Sequence, residues 1–230
     1  MKSLYFLILT VLIIVSVLPK TYTFEPTKKN VKYLGRANYQ DGYLWFGLTD
    51  SGIKYHFNGK TTSISVTADT KAYSQESPAY VDIYVDGKVY NKTLITEKNT
   101  NFTINFNKKG SHDITFIKLS EAEQGSLRIN EITTDCKKIK PTSQKKKKIE
   151  FIGDSITCAF GVDGTEVDHF STIIQDGTES YAYLTAKKFN ADNSIVVLLF
   201  SPLYFSLVKE LQILLFFQFM VLPSGMISLS

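Results

Sequence analysis

Tyr80-Val81-Asp82-Ile83-Tyr84-Val85, then Asp86-Gly87, then Lys88-Val89-Tyr90-Asn91-Lys92-Thr93-Leu94-Ile95 is the stretch on which the fold of this chain turns. Apolar and polar side chains alternate before and after the Asp-Gly pair, the period of two expected of strands with one buried face. Asp-Gly suits the positive φ angles of a tight type I′ turn, so the stretch predicts a hairpin. The same alternation, cut by turn residues, runs outward from Val31 to Thr134. It is visible in Gly52-Ile53-Lys54-Tyr55-His56-Phe57-Asn58-Gly59, in Thr62-Ser63-Ile64-Ser65-Val66-Thr67, and again over Asn101–Phe106, His112–Leu119 and Ser126–Ile132. About eight short strands at regular spacing with no helical stretch predict an antiparallel sandwich of jelly-roll type over residues 24–136.

Composition allows such a core. The chain has 230 residues, 43% of them hydrophobic and 13% aromatic, with a formal net charge of +4. Much of the basic excess sits in one short run, so nucleic acid is not expected as a partner. At the amino end, Lys2 precedes an apolar run from Leu4 to Leu18. It is shorter than the ~20 apolar residues a membrane span needs, and residues 1–23 therefore read as an export signal; the alternative is an uncleaved anchor. Export makes the chain extracellular and gives meaning to two N-glycosylation sequons, at Asn91 and Asn101. It also allows Cys136 and Cys158, the two cysteines, either to pair or to remain thiols. No residues have metal-ligand spacing, and neither a metal nor another cofactor is expected.

Lys137 to Lys148 has no alternation and no apolar face, and reads as a Lys-rich linker; the alternative is a patch for an anionic polysaccharide or a membrane surface. After it the language changes. Ile149-Glu150-Phe151-Ile152 is a short apolar strand that runs into Gly153-Asp154-Ser155-Ile156-Thr157, and Ser180 to Phe189 has a helical pattern. This predicts the start of an α/β unit over residues 149–197. A serine placed just after a buried strand and a Gly-Asp turn projects its Oγ at the strand's carboxyl end. There the N–H groups of the following helix can stabilise an oxyanion, worth roughly 3–4 kcal/mol per donor. Such a site suits acyl transfer once a histidine removes the serine proton.

The longer string Ile149-Glu150-Phe151-Ile152-Gly153-Asp154-Ser155-Ile156-Thr157-Cys158-Ala159-Phe160-Gly161-Val162 resembles the first block of the SGNH (GDSL-type) hydrolases, and is most similar to that of carbohydrate esterase family 2. Asp41-Gly42-Tyr43-Leu44-Trp45-Phe46 with Ser51-Gly52-Ile53 is similar to the opening strands of that family's jelly-roll domain. Glu179 to Ala191 is similar to its first hydrolase helix. The resemblance implies a monomeric secreted esterase that removes acetyl groups from plant cell-wall polysaccharides such as xylan and glucomannan without a cofactor. It makes Ser155 the nucleophile, the Ser155 N–H one oxyanion donor, and Gly153 and Asp154 the shapers of the turn. It also implies a second and a third block, with a Gly and an Asn, and a His near the carboxyl end, none of which has a match here.

From Ile195 to Ser224 there is no Gly, Asp, Asn, His or Thr, and a soluble domain makes its turns with such residues. Residues 198–230 therefore read as an aberrant hydrophobic tail of frameshift or intron origin, with turnover by this chain expected to be absent or impaired. The competing reading makes Leu198 to Leu222 a membrane anchor, interrupted by Pro202, Lys209 and Glu210, and no stable span is expected. His56 and His112 read as outward-facing strand residues far from Ser155, and His169 as a solvated loop residue, the one stand-in base near Ser155 in sequence. A rival function is a non-catalytic carbohydrate-binding sandwich. Its aromatics suit sugar faces, but they also build cores, and Trp45 is expected in the core.

Overall fold

A computed structural model of the protein describes residues 20–165 and 171–197 and the backbone of 220–222. The export signal and nearly all of the hydrophobic tail lie outside the described residues, as does His169. Among the described residues no helix is long and apolar enough to cross a membrane.

The first part is a β-sandwich. Its strands are β1 (Tyr22–Phe24), β2 (Lys32–Leu34), β3 (Asn38–Gln40), β4 (Tyr43–Phe46), β5 (Gly52–Ala68), β6 (Tyr80–Val85), β7 (Lys88–Leu94), β8 (Asn99–Lys118), β9 (Leu127–Thr134) and β10 (Ile139–Pro141). The strand order is β3-β4-β9-β5-β8-β6-β7, with β1 on β9 and both β2 and β10 on β5. The expected hairpin is β6–β7, with φ of 53° at Asp86 and 79° at Gly87, the left-handed pair that a type I′ turn requires.

The alternation predicts separate strands over Gly52–Gly59 and Thr62–Thr67, and over Asn101–Phe106 and His112–Leu119. Instead each pair runs through as one long strand, β5 and β8, the two paired antiparallel along their length with Gly59 opposite Gly110 and a bulge between Gly59 and Thr61. The glycines mark a bend, not an end: a bulge lets one strand leave one layer of a sandwich and enter the other. The Asp135 carboxylate holds this corner, accepting the Lys60 N–H at 2.9 Å, and a Cβ on Gly59 would lie 2.1 Å from Asp135 Oδ1. Between the layers lies a core that includes Ile64, Ile104, Ile129, Ile53 and Ile114. Phe116 reaches Phe46 and Phe102 within it, at centroid distances of 6.3 and 5.2 Å.

The second part is a β-α-β unit. β11 (Lys147–Gly153) pairs in parallel with β12 (Ala191–Val197), and α1 (Tyr181–Lys188) packs on both through Ala182 and Ala186 against Ile149, Phe151 and Ile195. Ser180 caps the helix, its side chain accepting the Tyr183 N–H at 3.0 Å. A short β13 (Met220–Leu222) lies antiparallel on the other edge of β11.

The stretch read as a linker contains strand residues in two places. Ile139–Pro141 forms β10 against Tyr55–Phe57, with Ile139 buried, and Lys147 and Lys148 already belong to β11. A single buried isoleucine on a three-residue strand is too short a signal for periodicity to register.

Candidate active site

Ser155 stands at the carboxyl end of β11, where the buried Ile149 and Phe151 fix the strand against α1. Gly153 is required by close approach: a Cβ there would lie 2.1 Å from Thr157 Oγ1. Asp154 then closes the turn twice. Its Oδ1 accepts the Ile156 N–H and its carbonyl the Thr157 N–H, both at 3.0 Å. No α-helix follows directly, contrary to expectation. Residues 155–163 form hydrogen-bonded turns, with positive φ at Ala159 (59°) and Gly161 (78°), and the left-handed backbone prevents helix propagation. Ser155 is half-buried, and neither its Oγ nor its N–H makes a hydrogen bond among the described residues.

The turn is anchored from below. Thr157 Oγ1 and Tyr181 Oη lie 3.0 Å apart, tying it to the first residue of α1. Cys158 is fully buried, with its thiol donating to the Ser155 carbonyl and accepting from Gln175 Nε2, each at 3.1 Å. Burial pushes this thiol up to about 12. The structure does not bring the two cysteines together: Cys136 sits at the end of the sandwich, and its thiol donates to the Lys138 carbonyl at 3.1 Å.

The sandwich grips the same region. Lys92 on β7 bridges Asp163 at 2.8 Å and Asp176 at 2.7 Å, one at the end of the Ser155 turns and the other in the approach to α1. These two carboxylates raise the Lys92 pKa against the opposing effect of burial. Tyr84 Oη lies 3.1 Å from Thr178 Oγ1, and the Gly177 N–H donates to the Leu119 carbonyl at 3.0 Å. Lys32 pairs with Asp192 at 2.5 Å, and Arg36 with Glu150 at 2.7 Å. Under this junction lie Asp50 and Asp82, each 1% exposed. Burial raises both, Asp50 well above the carboxylate range and Asp82 to about 6, with the Asp176 charge adding to the effect. Sequence reasoning missed this polar junction. Asp82 and Lys92 occupy ordinary outward positions of a hairpin, and the partners that meet Lys92 there, Asp163 and Asp176, lie more than 70 residues further along the chain.

The described histidines belong to the sandwich. His56 Nδ1 lies 2.8 Å from Asp113 Oδ1 and its Nε2 3.0 Å from Ser111 Oγ, while His112 Nδ1 lies 2.8 Å from Asp86 Oδ2. Neither bonds Ser155. Asn91 and Asn101 are exposed, on β7 and β8. Trp45 is not in the core. It is 36% exposed, because Leu44 and Phe46 on the same strand take the inward positions. No group of three or more His, Cys, Asp and Glu suited to a metal ion occurs among the described residues.

Residues 33–143 match the family described as Carbohydrate esterase 2 N-terminal. The chain is 23% identical over 186 residues to an acetylxylan esterase / glucomannan deacetylase of Cellvibrio japonicus, covering 79% of this chain and 50% of that protein. It is 27% identical over 185 residues to the cellulase/esterase CelE of Acetivibrio thermocellus, covering 76% of this chain and 21% of that one. It thus spans about half the length of the first relative and about a fifth of the second. A solved family two carbohydrate esterase from Cellvibrio japonicus shares the fold, with a TM-score of 0.70 at 20% identity over 77% of this chain and 52% of that one.

Proposed function

This chain belongs to carbohydrate esterase family 2, and on that footing we propose that it carries the serine end of a secreted, monomeric acetyl esterase acting on acetylated plant cell-wall polysaccharide. The observation that carries the reading is the placement of Ser155. It follows a buried strand and a Gly-Asp turn, with Oγ and N–H both free of partners among the described residues. In the proposed reaction Oγ attacks the acetyl carbonyl and its proton passes to a base. The Ser155 N–H stabilises the oxyanion of the tetrahedral intermediate. Collapse returns the proton to the departing sugar hydroxyl and leaves an acetyl-serine, which water cleaves to acetate.

The relatives named above support xylan or glucomannan as the carrier, and the β11-α1-β12 unit supports an SGNH-type hydrolase domain beginning at residue 149. Ser155 has no histidine bonded to it among the described residues, so we propose that turnover is impaired in the chain as it stands. Acetate release from acetylated xylan and from an aryl acetate, compared between the chain and Ser155→Ala, tests both statements. Slow release that disappears in the variant is the expected result. Release that survives the substitution refutes Ser155 as nucleophile, and release at the rate of an intact esterase refutes the impairment.

A further inference from the structure

One face of the sandwich differs chemically from the rest of the molecule. The chain carries 26 Lys+Arg and 22 Asp+Glu, yet the outward rungs joining the second half of β5 to the first half of β8 are uncharged. Thr61 stands opposite Asn105, Ser63 opposite Thr103, Ser65 opposite Asn101 and Thr67 opposite Asn99. The alternate residues Ile64, Val66, Phe102 and Ile104 are buried, so the pleat fixes the polar set on the outside. The rungs are bonded into a sheet of dipoles. Thr61 Oγ1 donates to Asn105 Oδ1 at 3.1 Å and Thr67 Oγ1 to Asn99 Oδ1 at 2.9 Å, while Asn130 on β9 reaches Thr67 Oγ1 at 2.9 Å. Along these rungs, β9 contributes two charged residues, Arg128 opposite Thr67 and Glu131 opposite Ser65.

Two aromatic rings border the array on the same side. Tyr43 and Trp45 on β4 are 37% and 36% exposed, and Trp45 is paired in register with Arg128. The Arg128 guanidinium lies 4.2 Å from the Tyr43 ring centroid and 5.3 Å from that of Trp45, and its Nε donates to Asn130 Oδ1 at 2.8 Å. The rings are thereby braced into fixed positions with surface left open, and little ordering entropy remains to oppose a ligand. Core packing does not require them there, since Leu44 and Phe46 already fill the inward positions of β4.

We propose that this face binds a neutral polysaccharide chain, at a site separate from Ser155 and independent of the reading of Ser155 as nucleophile. A sugar ring presents C–H groups to an aromatic face and, around its rim, hydroxyls that both donate and accept. Braced rings beside uncharged hydroxyls and amides match those two demands, and rungs repeating about every 4.8 Å across strands and about 6.8 Å along them are on the scale of single sugar rings. The scarcity of charge selects a neutral polymer over an anionic one. Asn101, a sequon residue, sits within the array, so an N-glycan attached there would lie across the same surface.

The test is affinity electrophoresis of the full chain, produced without glycosylation, in gels containing xylan, glucomannan or hydroxyethyl cellulose, with an anionic polysaccharide in a parallel gel. At least one neutral polymer retards the protein, and Trp45→Ala and Tyr43→Ala each weaken retardation by about tenfold, a factor well resolved in such gels. Tyr90→Ala, which removes an exposed ring on β7 (49% exposed), leaves retardation unchanged. Circular dichroism melting of each variant shows that the fold persists. The proposal is overturned if no neutral polymer retards the chain, if only the anionic one does, or if the Trp45 and Tyr43 variants migrate as the parent does.

Discussion

Replacing Asp82 by Asn isolates the electrostatic cost of the junction between the two parts of the molecule. Asp82 is 1% exposed. Burial is the main reason its pKa rises from 3.8 to about 6; the Asp176 charge raises it further, and Lys92 and the Tyr84 hydroxyl work in the opposite direction. In the unfolded chain the group ionises near its ordinary value. Between that value and about 6 the native protein therefore holds a proton the unfolded chain has lost, and stability falls as pH rises through the window. Above it the full penalty persists. Each pKa unit corresponds to about 1.4 kcal/mol, so about two units give roughly 3 kcal/mol, reduced by whatever relaxation the junction allows. Asn keeps the shape without the charge, so Asp82→Asn is expected to be more stable than the parent by about 1–3 kcal/mol at pH 8, or about 2–4 °C of Tm per kcal/mol. At pH 4.5 the gain shrinks to about 1 kcal/mol or less. Asp50 titrates in the same sense but is present in both proteins, so it cancels to first order. Urea unfolding followed by tryptophan fluorescence at the two pH values measures the difference. A variant no more stable than the parent at pH 8, or a gain of equal size at both pH values, refutes the reasoning.

Gly153→Ala places a Cβ 2.1 Å from Thr157 Oγ1 and is expected to cost about 1–3 kcal/mol in thermal unfolding, with loss of any Ser155-dependent labelling by an acyl-fluorophosphonate probe. Lys92→Met removes both ion pairs and leaves Asp176 buried without its partner. The expected loss is about 1–3 kcal/mol by urea unfolding, since Lys92 is itself partly exposed, and the sequon at Asn91 stays intact. Titration of the native, reduced chain with an aromatic disulfide is expected to modify Cys136 quickly and Cys158 only on unfolding, because Cys158 is fully buried and its thiol is held at about 12.

The sequence was most legible where one local rule decided the outcome. Asp86-Gly87 announces its turn because few residues tolerate two consecutive positive φ angles, and the helical pattern of Ser180 to Phe189 announces α1, which Ser180 proves to cap. It was least legible where the decisive partner is distant in the chain. The stretches ending at Gly59 and starting at Thr62 read as two strands but form one bent strand, because Gly110 lies opposite Gly59 and Asp135 caps the bulge. Trp45 reads as core, since alternation alone does not say which of two large apolar sets faces inward; packing of Leu44 and Phe46 settles it. At the candidate site, Gly153, Asp154 and Ser155 were recognisable as a strand-end turn. The supports from Tyr181, Gln175 and Lys92 were not, because side-chain contacts across so many residues leave no periodic trace.

Those supports give the sandwich a part in the chemistry proposed for Ser155. The serine turn is a run of hydrogen-bonded turns with two left-handed residues, and it lacks the rigidity a helix would provide. It is held instead at its root by Thr157 and Tyr181, beneath by Cys158 and Gln175, and at its far end by Asp163 on Lys92. The last of these belongs to the sandwich, and the same Lys92 also fixes Asp176, next to Gln175. A nucleophile must be held within a fraction of an ångström to contribute fully to an acyl transfer. The sandwich therefore acts as the fixed base on which the turn is set, and the penalty for burying Asp50 and Asp82 falls at the contact that does this. Substitutions in β6 and β7 should then alter Ser155 reactivity without any of those residues touching a substrate.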